Sequence, residues 1–180
     1  MIEVEAKIKV SDPAVFRRRI KKIANFVNKE KKIDDYYTLE SLKKYPLKSL
    51  RIRKKGNIHE INFKQRLSYA NGVHAKNEKE FILKDVEPFL ELIRDFGFKQ
   101  WLRKEKSSET YEISKNFHIE INYVKHLGWF SEIEYLCEKK DIEMARKKVL
   151  EIINGLNISK KDIVKEGYTR MLWDKGKLGI

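Results

Sequence analysis

The amino-acid sequence predicts a strand-dominated α+β chain, and three observations carry that prediction. Polar and apolar residues alternate with period two in one segment after another. A few stretches switch to helical spacing between and after those segments. Only three prolines and eight glycines occur in 180 residues, with no Pro/Gly/Ser-rich linker, internal repeat or low-complexity tract, so one domain spanning residues 1–180 is expected.

The first segment sets the pattern. Ile2, Val4, Ala6, Ile8 and Val10 fall on one face and Glu3, Glu5, Lys7 and Lys9 on the other, the signature of a half-buried strand. Asp12-Pro13 then reads as an N-cap followed by proline in the first turn. Phe16, Ile20, Ile23 and Val27 continue at spacings of four, three and four, which predicts an amphipathic helix to about residue 28. On that reading Arg17–Arg19 are solvated helix surface and Lys29–Lys32 a solvated helix end. Strands are predicted at Ser49–Lys54, His59–Gln65, Asn77–Leu83, Gln100–Lys106, Glu109–Ser114, Phe117–Tyr123 and Trp129–Leu136. A helix over Pro88–Phe96 ends at Gly97, and another runs from Asp141 to Asn154-Gly155. Ser159-Lys160-Lys161-Asp162 has the form of a capping box opening a short last helix.

Charge narrows the partners. The formal net charge of +13 attracts anions, whether nucleic acid, an acidic membrane surface or a polyphosphorylated small molecule. A single cysteine, Cys137, excludes an internal disulfide. No apolar run approaches the ~18 residues of a membrane span, and Glu3 and Glu5 interrupt any signal-peptide layout. A cytoplasmic location without membrane association is therefore expected.

The polar faces carry the functional information. Same-sign pairs stand two residues apart at Glu3/Glu5, Arg51/Arg53, Glu78/Glu80, Lys104/Lys106 and Glu132/Glu134, with Lys7 extending the first and Lys64 beside Asn62 adding a base. Residues i and i+2 of a strand project the same way, about 6.5–7 Å apart. One such ladder is ordinary solvated surface. Several on separate strands suit a closed barrel with charged faces inward and helices over its apolar exterior. Carboxylates there supply hard oxygen ligands for Mg²⁺ or Mn²⁺, and Lys and Arg neutralise phosphate. Without ligand, such a cavity is expected to be electrostatically frustrated.

Particular strings sharpen this reading. They are, in chain order, Glu3-Val4-Glu5-Ala6-Lys7, Asp35-Tyr36-Tyr37, Leu50-Arg51-Ile52-Arg53, Asn62-Phe63-Lys64, Lys76-Asn77-Glu78-Lys79-Glu80, Leu127-Gly128-Trp129-Phe130-Ser131-Glu132-Ile133-Glu134 and Tyr168-Thr169-Arg170-Met171-Leu172. In this order they resemble the motifs of the CYTH superfamily, the triphosphate tunnel metalloenzymes, over residues 2–172. The resemblance implies an eight-stranded antiparallel β-barrel with a charged interior and flanking helices. It implies a Mg²⁺ or Mn²⁺ cofactor held on the side of Glu3, Glu5, Glu132 and Glu134. Lys7, Arg51, Arg53, Lys64, Lys104 and Lys106 would grip a triphosphate, with Lys7 and Lys64 the catalytic candidates. Glu78, Glu80, Asn122 and Tyr37 are accessory candidates, although hydrogen-bonded packing is the plainer role for Tyr37. Two departures stand out: Asn122 replaces the family's Asp and loses a charge, and Lys106 replaces an Arg and cannot form a bidentate fork.

The implied substrates are ATP, thiamine triphosphate or inorganic tripolyphosphate. The reaction is either cyclisation, as in a class IV adenylyl cyclase, or hydrolysis, as in a thiamine triphosphatase. Length and overall layout resemble the cyclase branch more, the shared motifs do not separate the two, and a homodimer is compatible with both. The rival is a non-catalytic RNA or polyphosphate binder built around Arg51–Lys55. Alternation of acids with bases argues against RNA, because a phosphodiester groove gains nothing from Glu3 and Glu5. His59, His74, His118 and His126 lack metal-ligand spacing. Cys137, Trp101, Trp129 and Trp173 read as packing residues.

Overall fold

A computed structural model describes residues 1–180, with the side chains of all but Lys64 and Arg66. Strand β1 (Ile2–Lys9) is the closing stave of a barrel. Its partner on one side is β8 (Gly128–Cys137), in register from Ile2↔Cys137 to Lys9↔Phe130. On the other side it meets β5 (Val73–Leu83), from Ile2↔Asn77 to Ala6↔Val73. Between them run β4 (Ile58–Ala70), β3 (Leu50–Lys55), β2 (Asn25–Thr38), β6 (Lys99–Ser114) and β7 (Phe117–Val124), each antiparallel to its neighbours. Eight strands thus close on themselves in the order β1-β5-β4-β3-β2-β6-β7-β8, the barrel expected from the charged faces. Where β5 ends, β9 (Ile163–Val164) continues on the same edge of β1, pairing Lys7↔Val164 and Ile8↔Ile163.

Tight turns join neighbouring strands. The β4–β5 hairpin turns through Asn71 and Gly72, both at positive φ, as a two-residue reversal requires. A Cβ on Gly72 would lie 2.7 Å from the Ile163 side chain, so glycine also lets β9 approach the hairpin.

The apolar faces point outward under helices. Helix α3 (Ile142–Gly155) and helix α1 (Pro13–Ile20) cover Val4, Ala6, Ile119, Ile121 and Ile133 with Ala145, Val149, Ile153, Phe16 and Ile20. The buried Arg146 of α3 pins the helix to the hairpin, donating to the carbonyl oxygens of Ala70 (3.0 Å) and Val73 (2.7 Å) and to Ser68 Oγ (3.0 Å). Helix α2 (Glu87–Asp95) covers Tyr37, Ile52 and Ile61, and Gly97 at φ +88° follows its end. Helix α4 (Tyr168–Asp174) packs Leu172 on Trp101 and Leu102, and Tyr168 on Val124 and Phe130. Among the described residues, no helix is long and apolar enough to cross a membrane.

Three local expectations are corrected. Helix α1 stops at Ile20, closed by short bonds from Lys22 to Arg19 and from Ile23 to Ile20, and Ile23 and Val27 are exposed. Residues from Asn25 join β2 because β6 offers a partner along its whole length, from Asn25↔Glu112 to Thr38↔Lys99, and the ladder overrides the local helical spacing. The two strands expected over Gln100–Lys106 and Glu109–Ser114 are accordingly one. Ser159 makes no side-chain cap. A 3₁₀ turn over Lys160–Asp162 leads into β9, and the last helix begins at Tyr168.

Ile133, fully buried beneath α3, reports on this outer core. Ile133→Ala is expected to cost about 2–5 kcal/mol of unfolding free energy, read as a lower urea midpoint with unchanged slope.

Candidate active site

Three carboxylates meet at one end of β1. Glu3 and Glu5 point into the barrel, each 4% exposed, and Glu134 stands opposite Glu5 in the β1–β8 register. One oxygen from each of Glu3, Glu5 and Glu134 lies within 4.8 Å of the others. Lys76 comes from β5, opposite Glu3, and its ammonium bonds Glu5 at very short range and reaches Glu3 Oε1 at 3.4 Å. A donor set of hard carboxylate oxygens already hosting a cationic group fits a divalent ion of the Mg²⁺ or Mn²⁺ kind.

Glu132 occupies a different position. Its carboxylate meets Lys7 Nζ at 3.0 Å and Lys106 Nζ at 3.3 Å, and Asn122 Nδ2 donates to it at 2.9 Å. Ser108 Oγ in turn donates to Asn122 Oδ1 at 2.6 Å. The four acids expected on the metal side therefore divide, three forming the carboxylate group and Glu132 anchoring ammonium groups. Asn122 is a wholly buried link in that network.

The cations are held by acids from neighbouring strands. Asp34 of β2 is fully buried and accepts both Arg53 Nε (2.6 Å) and Nη2 (2.9 Å), with Lys104 Nζ at 2.8 Å. Glu60 of β4 receives Arg51 at 2.5 Å and Lys55 at 2.5 Å. Glu120 of β7 lies between Lys106 (2.8 Å) and Lys32 (2.7 Å). Asn62 donates to Glu78 (3.0 Å) and Glu80 (3.3 Å). The same-sign ladders are thus cross-neutralised, and the frustration expected for an unliganded interior is relieved by pairs between strands.

Electrostatics keep these groups charged. Burial works against ionisation of Asp34, but Lys104 and Arg53 outweigh it and hold the acid well below the usual carboxylate range. Burial likewise opposes the charge on Glu120, yet Lys106 and Lys32 bring it down to about 2. Glu132 is lowered by Lys106 and Lys7 against the same burial. Lys7 is raised by Glu5 and Glu132, and Lys106 by Glu120 and Glu132, each over a burial cost. The Tyr168 ring stands 4.4 Å from Lys7 Nζ and 5.6 Å from Lys104 Nζ, a cationic cage on one side of the lumen. Burial and the charge on Glu132 push the Tyr168 phenol up.

All of these side chains but Lys32, Asp34, Ser108 and Asn122 line one cavity of about 990 Å³. It opens past Tyr45, Pro46 and Leu47, where Tyr45 Oη and Thr169 Oγ1 of α4 are 2.8 Å apart. The cavity brings together Lys7, Arg51, Arg53, Lys104 and Lys106 with Glu78 and Glu80, while the Lys64 side chain lies outside the described residues. Tyr37 is not on it. Neighbouring residues of β2 face opposite sides, so Tyr37 packs in the outer cluster with Ile52 and Ile93 while Tyr36 faces the lumen and accepts a hydrogen bond from Lys104 at 3.0 Å. Lys32, expected at a solvated helix end, is buried on Glu120. His74 is also buried, 2.9 Å from the Lys165 carbonyl oxygen.

A family model for the CYTH domain matches residues 1–168, nearly the whole chain. The chain belongs to the CYTH family. Among CYTH-like relatives, a protein of Methanocaldococcus jannaschii, provisionally named an adenylate cyclase, is 26% identical over 95% of this chain and 98% of its own. A solved structure from Pyrococcus horikoshii superposes with a TM-score of 0.79 at 28% identity, covering 96% of this chain and 99% of that one. A Hippeastrum protein, provisionally called an adenylyl cyclase and described as having a dominant triphosphatase activity, shares the fold with a TM-score of 0.66 at 14% identity, over 98% and 97% of the two chains.

The residues that motif reading missed in this CYTH tunnel are Lys32, Asp34, Tyr36, Glu60, Lys76 and Glu120. Their signal is the same i+2 alternation, as Lys32-x-Asp34-x-Tyr36, Glu60-x-Asn62 and Glu120-x-Asn122, with mixed sign or polarity instead of repeated charge.

A pH dependence follows from Glu120. Its pKa is lowered in the folded state, so the stability it contributes is complete above the unfolded carboxylate value and is lost as pH falls from about 5 toward 2. Urea unfolding between pH 7 and pH 3 should lose on the order of 2 kcal/mol through this group. Glu120→Gln should lower stability at pH 7 and flatten that acid limb.

Proposed function

We propose that this CYTH chain is a divalent-metal-dependent enzyme that hydrolyses a triphosphate, with water attacking the terminal phosphorus. The observation that carries the proposal is the sharing of one lumen by the Glu3/Glu5/Glu134 carboxylate group and the cations Lys7, Arg51, Arg53, Lys104 and Lys106. Polyphosphate recognition needs that combination. A nucleic-acid groove does not, because its affinity comes from phosphate neutralisation by bases alone.

In the proposed reaction Arg51 and Arg53 hold non-bridging oxygens in fixed forks, pre-aimed by Glu60 and Asp34. Lys104 and Lys106 neutralise the middle of the chain. Lys7 keeps its charge at neutral pH, and from beside Glu132 it donates to the oxygen on which negative charge develops. Lys64 is proposed as a second donor from β4. Glu3, Glu5 and Glu134 hold the ion, which when bound supplies Lewis-acid stabilisation of phosphoryl oxygens. Glu78 and Glu80 support the site through Asn62.

A second reading, cyclisation of ATP by its ribose hydroxyl, is favoured by the name of the archaeal relative and by Tyr45, Pro46 and Leu47, less charged wall residues of the same cavity against which a nucleoside would stack. Incubation with tripolyphosphate, thiamine triphosphate and ATP, each with Mg²⁺ or Mn²⁺, separates the readings. Orthophosphate release supports hydrolysis, and cyclic AMP with pyrophosphate supports cyclisation. Absence of turnover on all three contradicts both. Glu5→Gln should lower kcat at least 100-fold (about 2.7 kcal/mol of transition-state stabilisation) while the melting temperature stays near that of the unsubstituted protein.

A further inference from the structure

Lys76 is the residue whose position the proposed reaction leaves unexplained. Across the β1 edge it faces Glu3, with Glu5 alongside, so its ammonium sits among the carboxylates that would receive the metal. We infer that Lys76 is a tethered counter-cation that occupies the Glu3/Glu5 side of the metal site until a divalent ion displaces it. The inference rests on the proposed metal role of Glu3, Glu5 and Glu134.

The physical argument has three steps. Glu3 and Glu5 are nearly fully buried like charges on one strand, and a third carboxylate, Glu134, comes within 4.8 Å of both. Removing such a group from water without counter-charges is strongly unfavourable, so folding favours cations there before any metal arrives, in addition to Lys7 at 3.5 Å from Glu5. The register Glu3↔Lys76 supplies one from the strand that closes the barrel.

Lys76 is suited to leaving. It is a monodentate point charge on a flexible four-carbon stem, its side chain is 20% exposed against 5% for each of Glu3 and Glu5, and it lines the open cavity. Arg51 and Arg53, by contrast, are locked on their acids from the far wall. A divalent ion carries twice the charge and accepts oxygens from all three carboxylates, so it outcompetes a single ammonium there. The freed ammonium remains on the tunnel wall, where the next anion is the substrate's phosphate. Metal entry thereby turns a metal-site plug into an additional phosphate contact.

The test is Mn²⁺ binding to the full chain by titration calorimetry, with no phosphate present, in the unsubstituted protein and in Lys76→Met, Lys76→Gln and Lys76→Arg. Met and Gln remove the competitor and should tighten Mn²⁺ binding about tenfold, whereas Arg should stay within a few-fold of the unsubstituted protein. Equal or weaker Mn²⁺ affinity in both the Met and Gln variants overturns the role of Lys76 while leaving the carboxylate site intact. Binding of Mn²⁺ by none of the four proteins overturns the metal reading itself. A second readout needs no variant: the rate of Lys76 acylation in the unsubstituted protein, followed by peptide mass spectrometry, should rise when Mn²⁺ is added. An unchanged or reduced rate contradicts displacement.

Discussion

Burial of charge inside a closed sheet constrains this molecule more than any other interaction. Pairing of β1 with both β8 and β5 turns the faces of eight strands inward at once, and those faces carry carboxylates, ammonium groups and guanidinium groups. A closed barrel gives them no bulk water to spread into. Most of them meet an opposite charge from a nearby strand: Asp34 with Arg53 and Lys104, Glu60 with Arg51, Glu120 with Lys106 and Lys32, Glu132 with Lys7. Breaking one side of such a pair is costly, because an uncompensated buried charge remains. The outer apolar core under α1, α2 and α3 supplies the hydrophobic stabilisation, and it is what allows the interior to be polar.

That division explains what was legible in the sequence. The alternation of Ile2, Val4, Ala6 and Ile8 against Glu3, Glu5 and Lys7 identified both faces of β1, since burial on the outside and charge on the inside leave the same period-two record. Repeated-sign pairs such as Arg51/Arg53 and Lys104/Lys106 stood out for the same reason. Asp34, Glu60 and Glu120 did not, because each is a single acid in a mixed string and only the cross-strand register shows that it meets a base. Tyr36 follows Lys32 and Asp34 onto the inner face by the same alternation, and that alternation places Tyr37 outside, against its assignment to the site by resemblance. Local spacing reads Asn25–Asn28 as helix and Lys29–Lys32 as its solvated end, whereas their pairing partner on β6 lies about eighty residues further on.

The same network gives the tunnel its chemistry. Pre-paired arginines keep their forks aimed without ligand, which lowers the reorganisation needed when a polyanion enters. In the proposed reaction a triphosphate would replace carboxylates as the partner of lysines that were already fixed. The carboxylates released from that duty, together with Glu3, Glu5 and Glu134, would then face the divalent ion. Polyanion and cation would thus find complementary partners in one lumen, where α4 forms a wall with Tyr168 against Lys7.

The most direct test of this exchange is thermal unfolding with tripolyphosphate and Mn²⁺, added singly and together at constant ionic strength. A ligand bound by the folded state alone raises the melting temperature in proportion to the logarithm of its saturation. The account predicts that the rise with both exceeds the sum of the separate rises, and that Glu3→Gln and Glu5→Gln abolish the excess. Equal rises with sodium chloride at matched ionic strength, or strictly additive rises, would contradict it.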